Sequence, residues 1–230
     1  MITRRSWRSA RRSVLVPLAV GVVLLPASRR GAAIAFALAG SGLAFFRDPA
    51  RRLDPHPGLV YAAADGVVTA VEAVPSPWID EGDSLRIATY LSLRNVHVNR
   101  SPVKGTVTDI EERAGGFTPA FFATAGAKNR QNRICIDGPS GRAVVVQVAG
   151  ILARRISRWV EVGESVEVGQ RIGLIHFGSR TDVLIPACAA VPLVGLGDRV
   201  RAGVTPLALY LGPARPGLRP VPHKRRGGVA

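Results

Sequence analysis

The chain has 230 residues and a formal net charge of +15, from 31 Lys and Arg against 16 Asp and Glu. That length suits one well-filled core, or one domain with an N-terminal appendage, and the charge points to nucleic acid or an anionic membrane surface as partner. Aromatic residues are sparse, no basic stretch is interleaved with them, and no nucleic-acid motif is recognisable, which argues against nucleic acid.

At the N-terminus, Arg4, Arg5, Arg8, Arg11 and Arg12 precede an apolar run from Val14 to Pro26. Arg29 and Arg30 interrupt, and a second apolar run goes from Ala32 to Phe46. No small-residue cleavage site ends the first run, so a removed signal peptide fits poorly. Each run is shorter than the roughly 20 residues of a spanning helix. The expectation for residues 1–46 is two short helices in a shallow hairpin, with Arg on all flanks favouring anionic cytoplasmic lipid. The competing reading packs the pair on the soluble domain.

From Leu59 onward, Gly, Pro or Asp-Gly punctuates the chain every ten or so residues, a spacing of strands and turns. Between these marks lie β-branched runs over 66–71, 85–90, 105–110 and 143–148, which read as short, largely antiparallel strands. The stretch Val160–Gln170 is answered by Leu196–Gly203, both with Val-x-x-Gly spacing. These hairpins are similar to those of lipoyl- and biotinyl-type barrel-sandwich domains, without the lysine-bearing turn that such carriers modify. The fold expected for 47–212 is therefore mainly β (α+β in class), a barrel-sandwich-like antiparallel domain behind the helical hairpin. Residues 116–133 read as a long loop or flap, and 213–230 as a disordered basic tail. Cys135 and Cys188 match no metal-ligand spacing and read as buried free thiols.

The chemistry centres on Gly178-Ser179, set between two apolar, strand-like runs. Glycine tolerates strained dihedrals, so the backbone can bend its carbonyl toward the serine hydroxyl. Attack would turn the amide into an ester. Elimination would then release Gly178 as a carboxylate and leave dehydroalanine, which hydrolyses to a pyruvoyl group. A serine hydroxyl needs a nearby base, oriented by a third group, and Asp65 and His97 are the candidates. Each has a plainer reading: Gly-Ser as a turn pair, Asp65-Gly66 as a hairpin turn, His97 as a strand histidine between Val96 and Val98. His56 and His176 carry no comparable context, and Arg180 with Asp182 suits a local ion pair.

Taken together, Phe45-Phe46-Arg47-Asp48-Pro49, Ala64-Asp65-Gly66, Asn95-Val96-His97-Val98-Asn99-Arg100 and Phe177-Gly178-Ser179-Arg180 resemble the phosphatidylserine decarboxylase family, and its short branch most. The resemblance implies a pyruvoyl cofactor formed from Ser179, no metal, and a large chain 1–178 paired with a small chain 179–230. It implies conversion of phosphatidylserine to phosphatidylethanolamine and carbon dioxide through a Schiff base, and the Arg-flanked apolar N-terminus sets the expected place of work at the cytoplasmic face of the cell membrane. Asp65 matches the acid of the self-cleavage triad. Longer members carry His-x-x-His before Pro-Val-x-Gly; counting back from Pro102 puts His97 on the first of these and Arg100 on the second. Whether His97 serves cleavage or decarboxylation stays open. Arg47 and Arg100 suit the lipid phosphate or substrate carboxylate, which guanidinium binds in fork geometry. The other reading is a non-catalytic, membrane-anchored barrel-sandwich adaptor, which leaves Gly178-Ser179 without a role.

Overall fold

Two helices and a curled antiparallel sheet make up the computed structural model, which describes residues 2–79, 83–118, 128–151, 155–176 and 178–211. Helix α1 (Arg4–Leu24) starts earlier than the apolar run because Thr3 and Ser6 form a reciprocal cap. The five arginines therefore lie within the first half of this helix and not ahead of it. Helix α2 (Arg29–Phe45) starts at Ser28, whose hydroxyl accepts from Gly31 N at 3.1 Å.

The pair splits its surface between two environments. Ala10 and Val14 of α1, with Phe45 and Phe46, bury themselves against Val96, Val98 and Leu174. Arg5 donates to the Trp159 carbonyl at 3.0 Å, fixing the foot of α1 on the domain. Further along, Val16 (60%), Val23 (74%), Ile34 and Leu38 are exposed. Packing on the domain thus holds for one face only. Neither helix is long and apolar enough to cross a membrane.

The strands follow in order: β1 (Leu59–Tyr61), β2 (Gly66–Pro75), β3 (Asp83–Leu91), β4 (Val98–Arg100) and β5 (Gly105–Arg113). Then come β6 (Gln131–Gly138), β7 (Gly141–Val148), β8 (Ile156–Arg158), β9 (Ser165–Val166) and β10 (Arg171–Ile175). The last are β11 (Ser179–Pro186), β12 (Ala190–Pro192), β13 (Arg199–Val200) and β14 (Pro206–Tyr210). The main sheet has eight strands in the order β13-β2-β3-β11-β7-β6-β5-β9. Two three-stranded sheets, β1-β14-β12 and β4-β10-β8, flank it. The expected strands all form. The expected loop over 116–133 is shorter, because 131–133 already belong to β6 and Gly116 bridges Asn129; residues 119–127 lie outside the description. The tail 213–230 does too.

One core joins the two ends of the main sheet: Val200 of β13 and Val166 of β9 share a cluster with Ile87, Ile134, Val145 and Val183. A flat sheet could not bring its edge strands together in this way, so it must curl. The two Val-x-x-Gly hairpins make matching bonds at these edges. Gly197 N donates to Val68 O and Gly163 N to Val107 O, while Gly203 N donates to Ala62 O and Gly169 N to Ser101 O. Gly169 and Gly203, both at positive φ, meet so closely that a Cβ on Gly203 would lie 3.0 Å from the Gly169 Cα. Cys135 is buried as expected, whereas Cys188, in the short 3-10 turn after β11, is exposed.

Candidate active site

Strand β10 belongs to the small sheet with β4, and β11 to the middle of the main sheet, so the chain leaves one sheet at Ile175 and enters the other at Ser179. The crossing ends at Gly178, whose φ of +67° is left-handed. No described residue other than its chain neighbours lies within 4 Å of where its Cβ would be, so backbone conformation and not crowding favours glycine here. Ser179, the first residue of β11, is wholly buried, and its Oγ has no hydrogen-bond partner among the described residues. Leaving a buried hydroxyl unsatisfied costs about 1–3 kcal/mol. An orphaned buried hydroxyl calls for an explanation, and a group held ready for chemistry is one.

His97 stands just ahead of β4, with its carbonyl accepting from Ile175 N at 3.2 Å. Its Nδ1 lies 3.0 Å from the Asn95 carbonyl. A carbonyl only accepts, so Nδ1 carries the proton and Nε2 presents a lone pair. Nε2 is buried and has no partner among the described residues. Burial pushes the pKa of His97 down to about 4, against the Asn95 carbonyl and with help from Arg47 and His176. The imidazole is therefore a neutral base. The turn that aims it is itself tied, since Ser92 N and Oγ both donate to Asn95 Oδ1, at 2.9 and 2.6 Å.

Asp65 occupies a different position from the one a direct triad requires. Its Oδ2 pairs with Arg51 at 2.7 Å and its Oδ1 accepts from Ala202 N at 2.8 Å. No hydrogen bond among the described residues joins Asp65 to His97 or Ser179. The register Ser179–Leu91 and Val67–Tyr90 sets the start of β2 two strands from Ser179, about 10 Å at the usual strand spacing. The Asp-Gly pair is no hairpin turn either. A Cβ on Gly66 would lie 2.1 Å from Tyr90 O, so the glycine permits close approach of β2 to β3. Asp65 instead supports the turn whose Ala63 carbonyl receives both Arg100 N (2.9 Å) and Asn99 Nδ2 (3.3 Å).

Arg100 is 5% exposed, and its guanidinium donates to Gly169 O, Pro49 O and Asp48 Oδ1 at 2.9, 2.9 and 3.1 Å. Asp48 Oδ2 meets Arg171 Nε at 2.5 Å. That geometry pins the 47–52 segment to β4 and β10 and leaves Arg100 poorly placed for a lipid phosphate. Arg47 is only half-buried and donates to the carbonyls of Ala44 and Arg94. Arg180 and Asp182 form the expected ion pair, a buried fork of 2.8 and 2.9 Å.

The chain matches the phosphatidylserine decarboxylase family over residues 42–208. It is 47% identical over 170 residues to a phosphatidylserine decarboxylase proenzyme of Gluconobacter oxydans, covering 72% of this chain and 75% of that one. A proenzyme of the same name from Chlorobium phaeovibrioides is 42% identical over 196 residues, 85% of each chain, and one from Thermobifida fusca 43% over 181 residues, 78% and 79%. The chain belongs to the phosphatidylserine decarboxylase family.

Within this decarboxylase-family framework, three features escaped the sequence reading. His176 is 5% exposed, edge-on to Phe46 at 5.4 Å, with Nε2 3.1 Å from Ser157 Oγ. Burial, with Arg155, pushes its pKa down to about 4. Its position three residues before Ser179 was the available signal. Asp48 is a buried anchor between two arginines, foreshadowed only by its place in Phe-Phe-Arg-Asp-Pro. The third feature is a row of buried amides. Asn132 donates to Gln147 (2.7 Å), Gln147 to Asn99 (2.7 Å), and Asn99 to Thr181 Oγ1 (3.1 Å), two residues from Ser179.

Proposed function

We propose that this chain is a self-processing, pyruvoyl-dependent decarboxylase that converts phosphatidylserine to phosphatidylethanolamine and carbon dioxide. The observation that carries the reading is the orphaned, buried Ser179 hydroxyl directly after a left-handed glycine. Ser179 Oγ attacks the Gly178 carbonyl carbon while His97 Nε2 takes the hydroxyl proton, and the amide becomes an ester. Loss of the Ser179 α-proton then expels Gly178 as a carboxylate, and water converts the remaining dehydroalanine to the pyruvoyl terminus with release of ammonia. The Asn95 carbonyl holds the His97 tautomer, the part a carboxylate plays in a serine triad. Asp65 acts at one remove, through the Ala63 turn and β4.

The pyruvoyl ketone supplies an electron sink for decarboxylation of a substrate amine. The surrounding residues suit such chemistry, since Ser179 is buried from water, Phe45 and Phe46 wall the site, and two neutral imidazoles stand by to move protons. The working protein is then a large chain, 1–178, and a small chain, 179–230, made from one precursor. Residues 1–46 act as the membrane anchor. The exposed apolar side of α1 and α2 enters the interface and the arginines of α1 meet anionic headgroups at the cytoplasmic face.

Intact-mass analysis of purified protein tests the cut directly. Two masses are expected, the smaller lacking an N-terminal amine and carrying a ketone. A single full-length mass in protein that releases carbon dioxide would sink the proposal.

A further inference from the structure

Between α1, α2 and the turn after β3 lies a cavity of about 600 Å³, lined by Pro17, Leu38, Phe45 and Leu93, with Arg47 and Arg94 among its walls. Such a volume is within the range of small-molecule sites. Leu38 (58%) and Leu93 (50%) are exposed at its edge and continue the apolar side of the helices. Two of its walls are cationic. Among the described residues no carboxylate pairs with Arg47 or Arg94, although ten other basic side chains form ion pairs. Arg47 is braced by two carbonyls, Ala44 O and Arg94 O, which leaves it N–H groups to spare. Two uncompensated guanidiniums beside an apolar cavity call for a ligand that is anionic at one point and greasy elsewhere. Phe45 joins this cavity to the catalytic residues, for it lines the cavity and stacks on His97 at 4.3 Å.

We propose that this cavity binds the glycerophosphate portion of a diacyl phospholipid, with the phosphate between Arg47 and Arg94 and the acyl chains along Leu38 and Leu93. The head group then passes Phe45 toward His97 and Ser179. The choice of a serine lipid rests on the decarboxylase reading; the binding site does not. Arg94 is a specificity residue in this scheme, contributed by the same 92–95 turn that orients His97, so lipid capture and base positioning share one structural element.

The test uses the full chain carrying Ser179→Ala, which cannot form the pyruvoyl group, titrated calorimetrically with soluble dihexanoyl phosphatidylserine. Saturable binding is expected. Arg94→Gln should weaken it at least about tenfold, and glycerophosphoserine, which lacks acyl chains, should bind at least about tenfold less tightly. Leu38→Glu should erase the preference for the acylated ligand. No saturable binding, equal affinity for the two ligands, or indifference to both substitutions would overturn the proposal. The two readings separate cleanly. If Ser179 chains release carbon dioxide but Arg94→Gln changes neither affinity nor KM, the decarboxylase stands and the cavity site falls. If the lipid binds as expected but Ser179 chains release none, the site stands and the decarboxylase falls.

Discussion

The ring of Phe45 lies against the imidazole of His97, centroids 4.3 Å apart and planes inclined at 37°, while Asn95 holds the opposite demand by accepting from Nδ1. One contact fixes where the ring sits and the other fixes which nitrogen is basic. Burial, with Arg47 and His176 and against the Asn95 carbonyl, keeps His97 neutral, so its charge state does not change near neutral pH.

The pH dependence of cutting follows. Precursor freshly refolded from denaturant should cut at a nearly constant rate from neutrality down to about pH 5, then slow as pH falls through about 4. A base titrating at the ordinary value of 6.5 would lose most of its rate well before that. Gel time courses across this range decide between them. His97→Ala should accumulate uncut precursor; prompt cutting with slow turnover would move His97 to the decarboxylation step.

Folding stability should show the same two histidines. The folded pKa of His97 and of His176 lies below 6.5, near 4, so the unfolded chain binds protons in this window and the folded chain does not. Their contribution is full above pH 6.5 and is lost as pH falls toward 4, at up to about 1.4 kcal/mol per pH unit for each. Urea melts of Ser179→Ala with and without His176→Phe should differ in slope over that window.

Ser179→Ala should leave one uncut, inactive chain. It should also be no less stable than the wild-type precursor, and up to about 1 kcal/mol more stable, because the alanine removes a buried hydroxyl that has no partner among the described residues. Gly178→Ala should act in the other sense, costing about 1 kcal/mol at a positive φ and slowing the cut, without any steric clash. Denaturant midpoints and gel time courses measure both.

Asp48→Asn should destabilise the fold by about 3–5 kcal/mol, since it strips the counter-charge from Arg100 and Arg171. Arg100→Gln should likewise lower the melting temperature. If Arg100→Gln instead raised KM at unchanged stability, Arg100 would be a lipid ligand after all.

What the sequence disclosed was what depends on neighbours along the chain. The β-branched runs became β2, β3, β5 and β7, and the Val-x-x-Gly echo became two hairpins with matching bonds. Helix α1 begins ahead of the apolar run because the Thr3–Ser6 cap outweighs the change from basic to apolar residues. The amide row from Asn132 to Thr181 was invisible for a different reason. Thr181, Gln147 and Asn132 are cross-strand partners on β11, β7 and β6, so their alignment exists only once the register is known. Asp65 and Arg100 carried family-like positions, but their burial beside Arg51 and Asp48 is set by long-range packing.

Replacing two exposed residues of α1, Val16→Asp with Val23→Asp, should shift the protein from membranes to the soluble fraction while cutting proceeds, because neither side chain belongs to the cluster that seats the helices on the domain. Sedimentation with anionic vesicles reads this out. Retention on vesicles at high salt would mean that another surface anchors the protein.

Strand β11 is bonded along Ser179–Pro186 to β3 and along Arg180–Leu184 to β7, and β14 lies between β1 and β12. The proposed cut therefore gives the small chain the central strand of one sheet and the middle strand of another. It creates two molecules without creating a docking event, and dilution of the native enzyme should not separate them. The change appears only on unfolding. The precursor melts as a single molecule, whereas the cut form releases two, so its melting point becomes dependent on protein concentration. Renaturation must then thread a separate strand into the middle of a sheet, a bimolecular step that the precursor never faces.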